Sequence, residues 1–243
     1  MYGIIGKKLS HSYSAILFEE KFGKKNPYSL IELENINDLP RFIEENPDMK
    51  GFNVTVPYKK EIIPLISELD EVALDCGSVN TVQIIKSNNK NKLFGYNTDV
   101  FGFEEAYKSI IPSSCKKALI IGTGGASSAV SFALKKMNIE TTFISHTKKS
   151  SDTIYCSQLS PKDVSEHKLI INATPLGMFP NINEHPEICF SAITNEHVVI
   201  DLIYNPQWTV FLQKAKLQQA KVYNGLEMLK NQAKKAWQIW GLI

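Results

Sequence analysis

The stretch ALIIGTGGASSAVSFALKKM, Ala118 to Met137, decides the fold. Its opening run, Ala118 to Ile121, has the length and apolar character of a strand buried on both faces. The chain then turns through Gly122-Thr123-Gly124-Gly125, and from Ala126 onward Ala126, Ala129, Val130, Ala133, Leu134 and Met137 recur at helical spacing. A helix that opens in this way directs free backbone N–H groups and the positive end of its dipole at the turn, and residues without side-chain bulk let a phosphate come close. The stretch reads as a pyrophosphate-binding βα turn of a nucleotide-binding sheet. Its spacing, G-x-G-G-A, departs from G-x-G-x-x-G, so the turn taken alone leaves open a glycine-rich helix start with nothing bound.

Working outward, further strands are expected at Thr141–Ser145, Lys168–Asn172, Val198–Asp201 and Lys221–Tyr223, with helical or irregular links. That alternation predicts a parallel, doubly wound sheet over residues 100–224. The second strand ends at Ser145-His146-Thr147-Lys148-Lys149, about 20 residues past the glycine turn, where NAD-binding folds carry an acid for the ribose hydroxyls. A hydroxyl, an imidazole and two lysines stand there instead. They suit a 2′-phosphate and favour NADP over NAD, although a charged surface loop would look the same. Asn172-Ala173-Thr174-Pro175-Leu176-Gly177-Met178 and Leu202-Ile203-Tyr204-Asn205-Pro206 each follow a strand, at the carboxyl edge where open α/β sheets bind ligands, or else are simple turns.

Length and composition narrow the class. With 243 residues and 43% hydrophobic content, the chain can bury a core as one large domain or two small ones. A net charge of +2, from 27 basic and 25 acidic residues, gives no electrostatic case for nucleic acid or an anionic membrane. Cys76, Cys115, Cys156 and Cys189 form no C-x-x-C pair, and the five histidines show no metal-ligand spacing. Reduced thiols in a cytoplasmic protein are the expectation. The first residues lack the apolar core of a signal peptide, and no run approaches transmembrane length.

The first hundred residues hold several polar clusters. After a strand at Tyr2–Ile5, the hydroxyl-rich loop Ser10-His11-Ser12-Tyr13-Ser14 leads to a helix expected to be capped by Ser14, with Ala15, Phe18 and Phe22 inward. In GFNVTVPYKK, Phe52, Val54 and Val56 alternate with Asn53, Thr55 and Pro57, so one strand face presents an amide and a hydroxyl. Pro57 suits the first position of a helix through Ile66 that Pro64 interrupts. Lys59 would then lie in its first turn, where the dipole opposes a cation. It is either an ordinary solvent-facing lysine or one held near Thr55. Residues 67–76 read as a short helix, Gly77 to Thr81 lead into a strand through Ile85, and 86–92 is a polar hairpin tip. Leu93–Tyr96 returns and ends at Asn97-Thr98-Asp99, where Asp99 would cap the next helix. The last helix, Leu226–Trp240, carries Leu229, Ala233, Ala236 and Trp240 inward. Gln232 lies beside that stripe, an amide in need of a partner.

Taken in order, Ser-His-Ser-x-Ser, Asn-Val-Thr-Val-Pro-Tyr-Lys, Gly-x-Val-Asn-Thr, Gly-Tyr-Asn-Thr-Asp, Gly-x-Gly-Gly-Ala, Asn-Ala-Thr-Pro-x-Gly-Met, Tyr-Asn-Pro and Asn-Gly-Leu-x-Met-Leu resemble the shikimate dehydrogenase family over essentially the whole chain. The resemblance implies an α/β chain with a substrate domain of residues 1–99 completed by 225–243, a Rossmann-like NADP domain of residues 100–224, and a cleft where they meet. By matching position, Lys59 and Asp99 would be the catalytic pair, and Ser12, Ser14, Thr55, Asn80 and Gln232 would bind the substrate's hydroxyls and carboxylate. Tyr204 would reach it from the nucleotide domain. Gly122, Thr123, Gly124, Gly125 and Ala126 would hold the pyrophosphate. Ser145, His146, Thr147, Lys148, Thr174, Met178, Leu202 and Gly225 complete the implied cofactor set.

Three positions depart from the family pattern. Ala15 stands where proline is common, Thr123 where alanine is usual, and Ser145-His146-Thr147 where members often read Asn-Arg-Thr. Loss of that arginine removes a planar group that stacks on adenine and pairs with a 2′-phosphate, a role left to His146 and Lys148 or Lys149. The implied activity is NADPH-dependent, reversible reduction of 3-dehydroshikimate by a monomer or homodimer. The competing readings are an NAD-dependent quinate/shikimate dehydrogenase, a non-catalytic ligand-binding relative, and another two-domain Rossmann enzyme such as a folate-linked dehydrogenase. Ser14 speaks against quinate, since quinate-accepting relatives often carry threonine there.

Overall fold

A computed structural model of the chain describes residues 1–9, 12–23, 27–87, 90–147 and 152–243. Ser10 and His11, the centre of the expected 86–92 tip, and Lys148 and Lys149 lie outside the described residues. The chain divides into two compact units, Met1–Gly102 with Leu229–Ile243, and Phe103–Met228. In chain order the first elements are β1 (Tyr2–Gly6), α1 (Tyr13–Phe22), β2 (Tyr28–Glu32), α2 (Leu39–Glu45), β3 (Gly51–Val54), β4 (Glu68–Leu69), α3 (Glu71–Cys76), β5 (Thr81–Ser87), β6 (Lys90–Tyr96) and α4 (Thr98–Tyr107). There follow β7 (Lys117–Ile121), α5 (Gly125–Lys136), β8 (Glu140–Ser145), β9 (Thr153–Tyr155), α6 (Pro161–Glu166), β10 (Leu169–Asn172), β11 (Val198–Asp201), α7 (Val210–Leu217), β12 (Lys221–Tyr223) and α8 (Leu226–Ile239).

The first unit is built on a mixed sheet in the order β2-β1-β3-β5-β6-β4. β1 runs parallel to both β2 and β3, whereas β5 is antiparallel to β3 and β6. Ile5, Leu39, Phe52, Ile62 and Val82 are wholly buried in its main core. The end of α8 packs on this unit through Ala233, Ala236, Trp237 and Trp240 against Phe18 of α1. Two side-chain bonds fasten it: Trp240 Nε1 donates to Val82 O at 3.0 Å and Gln83 Nε2 to Ile239 O at 2.9 Å. Leu229, expected inward, is only half-buried.

The second unit is a parallel sheet in the order β12-β11-β10-β7-β8-β9. Every residue of β10 and β11 is buried, as the continuous apolar runs require of strands covered on both faces. The chain winds from β7 outward to β9 and returns to β10 on β7's other side. The carboxyl ends of β7 and β10 therefore flank the topological switch point, where such sheets take their ligands.

The local structure differs from expectation in five places. The segment from Pro57 is a series of turns ending in a 3₁₀ turn at Ile63–Leu65. Pro64 has no N–H to return to Lys60, and its ring crowds that carbonyl, so no α-helix propagates. No helix dipole consequently opposes Lys59. Val56, expected on the apolar strand face, lies beyond β3 and is 68% exposed. Residues 67–76 split into β4 and α3, because Asp70 caps the helix by accepting from Ala73 N at 2.8 Å. α1 begins at Tyr13 with Ser12 at its cap position, and the Ser12 side chain makes no capping bond. At α4, Asn97 Oδ1 accepts from Val100 N at 3.2 Å, so Asn97 and not Asp99 serves the helix start. Asp99 is thereby left for other partners.

Candidate active site

In the first unit, four side chains distant in sequence meet at the ends of β3, β5 and β6. Lys59, in the turns after β3, donates from Nζ to Asp99 Oδ2 at 2.6 Å, and the two side chains are 15% and 8% exposed. Among the described residues this is the ammonium's only hydrogen bond, so two of its N–H donors remain for a ligand. The other carboxylate oxygen accepts from Asn80 Nδ2 at 2.8 Å. Asn80 cannot be turned the other way, because its Oδ1 accepts from Thr98 N at 2.7 Å. Both oxygens of Asp99 therefore face donors, and the carboxylate orients the lysine.

Gln232 of α8 joins this group. Its Oε1 accepts from Thr98 Oγ1 at 3.3 Å and lies 3.5 Å from Asn80 Nδ2. The residue is 7% exposed, and its Nε2 makes no hydrogen bond among the described residues. That buried amide presents a free donor to a ligand oxygen. Ser12, Ser14 and Thr55 are half-buried, and no hydrogen bond among the described residues joins their hydroxyls to the Lys59–Asp99 group. Thr55 directly follows β3 and is tied through its N–H to Ile5 O at 2.9 Å. Asn53 was expected only as an amide on the polar strand face, and Thr98 and Thr81 were given no site role from the sequence; the two threonines bond directly to Asn80, and Asn53 bonds its backbone carbonyl.

In the second unit, β7 delivers Gly122 at φ +108°, a backbone conformation that favours glycine. A Cβ there would also sit 3.0 Å from Thr174 Cγ2, so the turn after β7 and the loop after β10 approach closely. A Cβ on Gly124 would meet nothing within 4 Å, so bare backbone at the start of the 12-residue α5 faces open space. These features fit a pyrophosphate: a helix start with its favourable dipole end and no side chain in the way at Gly124. Ser145 is buried at the end of β8, with its Oγ accepting from Thr147 N at 3.3 Å, and His146 and Thr147 are exposed. Met178 is 41% exposed, Tyr204, Leu202 and Thr123 are half-buried, and Gly225 is buried. No group of three or more His, Cys, Asp or Glu among the described residues is arranged to hold a metal.

Beneath the switch point, Asp201 at the end of β11 is fully buried. It accepts from Thr209 Oγ1 at 2.6 Å, Asn172 Nδ2 at 3.0 Å and Ile203 N at 3.1 Å. Asn172 Oδ1 in turn accepts from Thr174 Oγ1 at 2.6 Å, so this carboxylate sets the loop that touches Gly122. Burial outweighs these bonds and raises the Asp201 pKa to about 6. The folded state then keeps a proton that the unfolded chain releases near pH 4, so stability is lost as pH rises from about 4 to about 6. Asp201→Asn should remove that loss. Denaturation of both proteins between pH 4 and 7 should show the variant gaining on the wild type by about 3 kcal/mol across the window. A pH-independent difference would count against the buried carboxylate.

The chain is similar to proteins of known family and structure. Residues 4–82 match the model described as the shikimate dehydrogenase substrate binding domain. A shikimate dehydrogenase (NADP(+)) of Desulforamulus reducens is 34% identical over 263 residues, spanning 98% of this chain and 88% of that one. One from Aquifex aeolicus is 35% identical over 263 residues, with 99% and 90% covered. The solved Aquifex aeolicus shikimate dehydrogenase aligns with a TM-score of 0.83 at 34% identity, covering 98% of this chain and 91% of that one. The Thermus thermophilus enzyme, solved in complex with NADP(H) and shikimate, aligns with a TM-score of 0.84 at 29% identity, covering 100% and 93%. A Rossmann-like sheet with a glycine turn, together with a unit holding a buried lysine–aspartate pair, defines an α/β dehydrogenase dependent on a dinucleotide. Within that class, the chain belongs to the shikimate dehydrogenase family.

Proposed function

We propose that the chain interconverts 3-dehydroshikimate and shikimate with NADPH and NADP, the first unit binding the substrate and the second the dinucleotide. The observation that supports this most is the Lys59–Asp99 pair at 2.6 Å, a buried ammonium with unspent donors in the unit that matches a substrate-binding domain. When bound, the nicotinamide supplies or accepts the hydride. Lys59 Nζ holds the proton that the developing alkoxide oxygen takes, and Asp99, fixed by Asn80, keeps that N–H aimed at the oxygen. In the reverse direction the same amine takes the hydroxyl proton. Gln232 Nε2 and the hydroxyls of Ser12, Ser14 and Thr55 bind the ring hydroxyls and carboxylate, and Tyr204 is a further substrate ligand.

The glycine turn from Gly122 through Ala126 holds the pyrophosphate. Ser145, His146, Thr147 and Lys148 receive the 2′-phosphate, and Thr174, Met178, Leu202 and Gly225 complete the pocket for the dinucleotide. We further place the enzyme in the cytoplasm as a monomer or homodimer. The four free cysteines suit a reducing compartment, and no helix among the described residues is long and apolar enough to cross a membrane.

Initial rates followed by nicotinamide absorbance, with shikimate and quinate each against NADP and NAD, test this directly. Shikimate with NADP should give the highest kcat/KM, and the cationic loop after β8 should favour NADP over NAD by at least about tenfold. Turnover of quinate alone, or of neither acid, would refute the proposal. Equal rates with the two dinucleotides would overturn only the phosphate-binding role of residues 145–148.

A further inference from the structure

Behind the Lys59–Asp99 pair runs a chain of polar groups, buried except for the half-buried Tyr28, whose proton directions can be assigned. Asn53, on β3, is 6% exposed. Its Nδ2 lies 3.2 Å from Asn80 O and 3.0 Å from Thr81 Oγ1. A backbone carbonyl only accepts, so the amide nitrogen must face Asn80. Asn53 Oδ1 then faces the Tyr28 hydroxyl of β2, which donates to it at 2.6 Å. Burial holds that phenol well above its ordinary pKa, so it remains a donor.

Thr81 Oγ1, having accepted from Asn53, gives its own proton to Asn80 Oδ1 at 3.2 Å or Thr98 Oγ1 at 3.1 Å. Asn80 Oδ1 is an acceptor throughout, which turns its Nδ2 onto Asp99. Every donor in the series therefore points from β2 toward the carboxylate. Tyr28 also packs its ring 4.9 Å from that of Phe18 on α1, the helix whose first residues carry Ser12 and Ser14. One residue thus touches both the helix that presents the substrate hydroxyl ligands and the amide series that aims Asp99.

We infer that Tyr28 and Asn53 are positioning residues for the dehydrogenase reaction, coupling α1 to Asp99 through Thr81 and Asn80. This rests on the proposed function, and it assigns a role to side chains that do not touch substrate. Tyr28→Phe keeps the ring on Phe18 and removes only the donor, while Thr81→Val keeps the shape and removes only the relay hydroxyl.

Each variant should lower kcat about tenfold, because a buried acceptor loses its donor and the series slackens. KM for shikimate should stay within about twofold, since no substrate ligand is removed. Because both cut one series, the double variant should be no slower than the slower single variant. A purely structural role would lower Tm and leave kcat unchanged. Unchanged kcat in both variants beside an active wild type overturns the inference alone, as does a double variant whose losses multiply. An inactive wild type would overturn the proposed function and this inference with it.

Discussion

Lys59→Ala is expected to lower kcat for shikimate oxidation by about three orders of magnitude while shikimate still binds. The expectation follows from the hydrogen-bond inventory of the site. Among the described residues that meet around Asp99, the ammonium and the Gln232 amide have donors to spare, and of the two only the ammonium can release a proton. Asn80 has committed its amide hydrogens, and the carboxylate accepts through both oxygens. Removing the lysine also strips a carboxylate, 8% exposed, of its cation. The retained bond from Asn80 limits that cost to on the order of 2 kcal/mol, less than for a fully buried broken pair. Lys59→Arg separates the two effects, since a guanidinium restores the charge pair but does not release a proton. It should recover much of the thermal stability and none of the turnover. Recovery of kcat by arginine would mean that charge, not proton transfer, is what Lys59 contributes.

Gly225→Ala should have the largest effect on stability. A Cβ at Gly225 would overlap the carbonyl oxygen and carbon of Leu202, backbone atoms that cannot swing aside as a side-chain end can. Gly225 N also donates to Ile203 O at 3.0 Å, which pins the approach from the other side. Relieving the overlap requires the segment after β12 to leave the segment after β11. Overpacking of this kind costs about 3 kcal/mol, a fall in Tm on the order of 10 °C for a chain of this size. Differential scanning calorimetry reads it, and a Tm within about 2 °C of the wild type would show that the two segments can separate freely.

The second unit's sheet was the most legible part of the chain. β7, β10 and β11 are buried along nearly their whole length, and such strands announce themselves as unbroken apolar runs between turn residues. β2 and β9 lie at sheet edges and were not expected. Leu30 of β2 is 45% exposed, so its residues carry no clean alternation, and β9 has three residues. The proline at position 57 gave the same signal that opens a helix, and only the missing donor at Pro64 decides otherwise.

At α4, Asn97, Thr98 and Asp99 are all competent caps. What assigns the role to Asn97 is the demand of Lys59 and Asn80 for the Asp99 carboxylate, and both lie far from it in sequence. The same holds for Tyr28 and Asn53. A tyrosine and an asparagine 25 residues apart give no spacing signal, and their bond exists only because β2 and β3 both flank β1.

The most direct measurement of the claim that Lys59 supplies the proton is single-turnover oxidation of NADPH by 3-dehydroshikimate, recorded by stopped flow for the wild type and Lys59→Ala at saturating substrate. Mixing preformed enzyme–NADPH complexes isolates chemistry from product release. The wild type should lose nicotinamide absorbance in a fast phase that in Lys59→Ala is slower by about a thousandfold, with shikimate binding retained by calorimetry. Equal fast phases in the two proteins would contradict the assignment of Lys59 as proton donor.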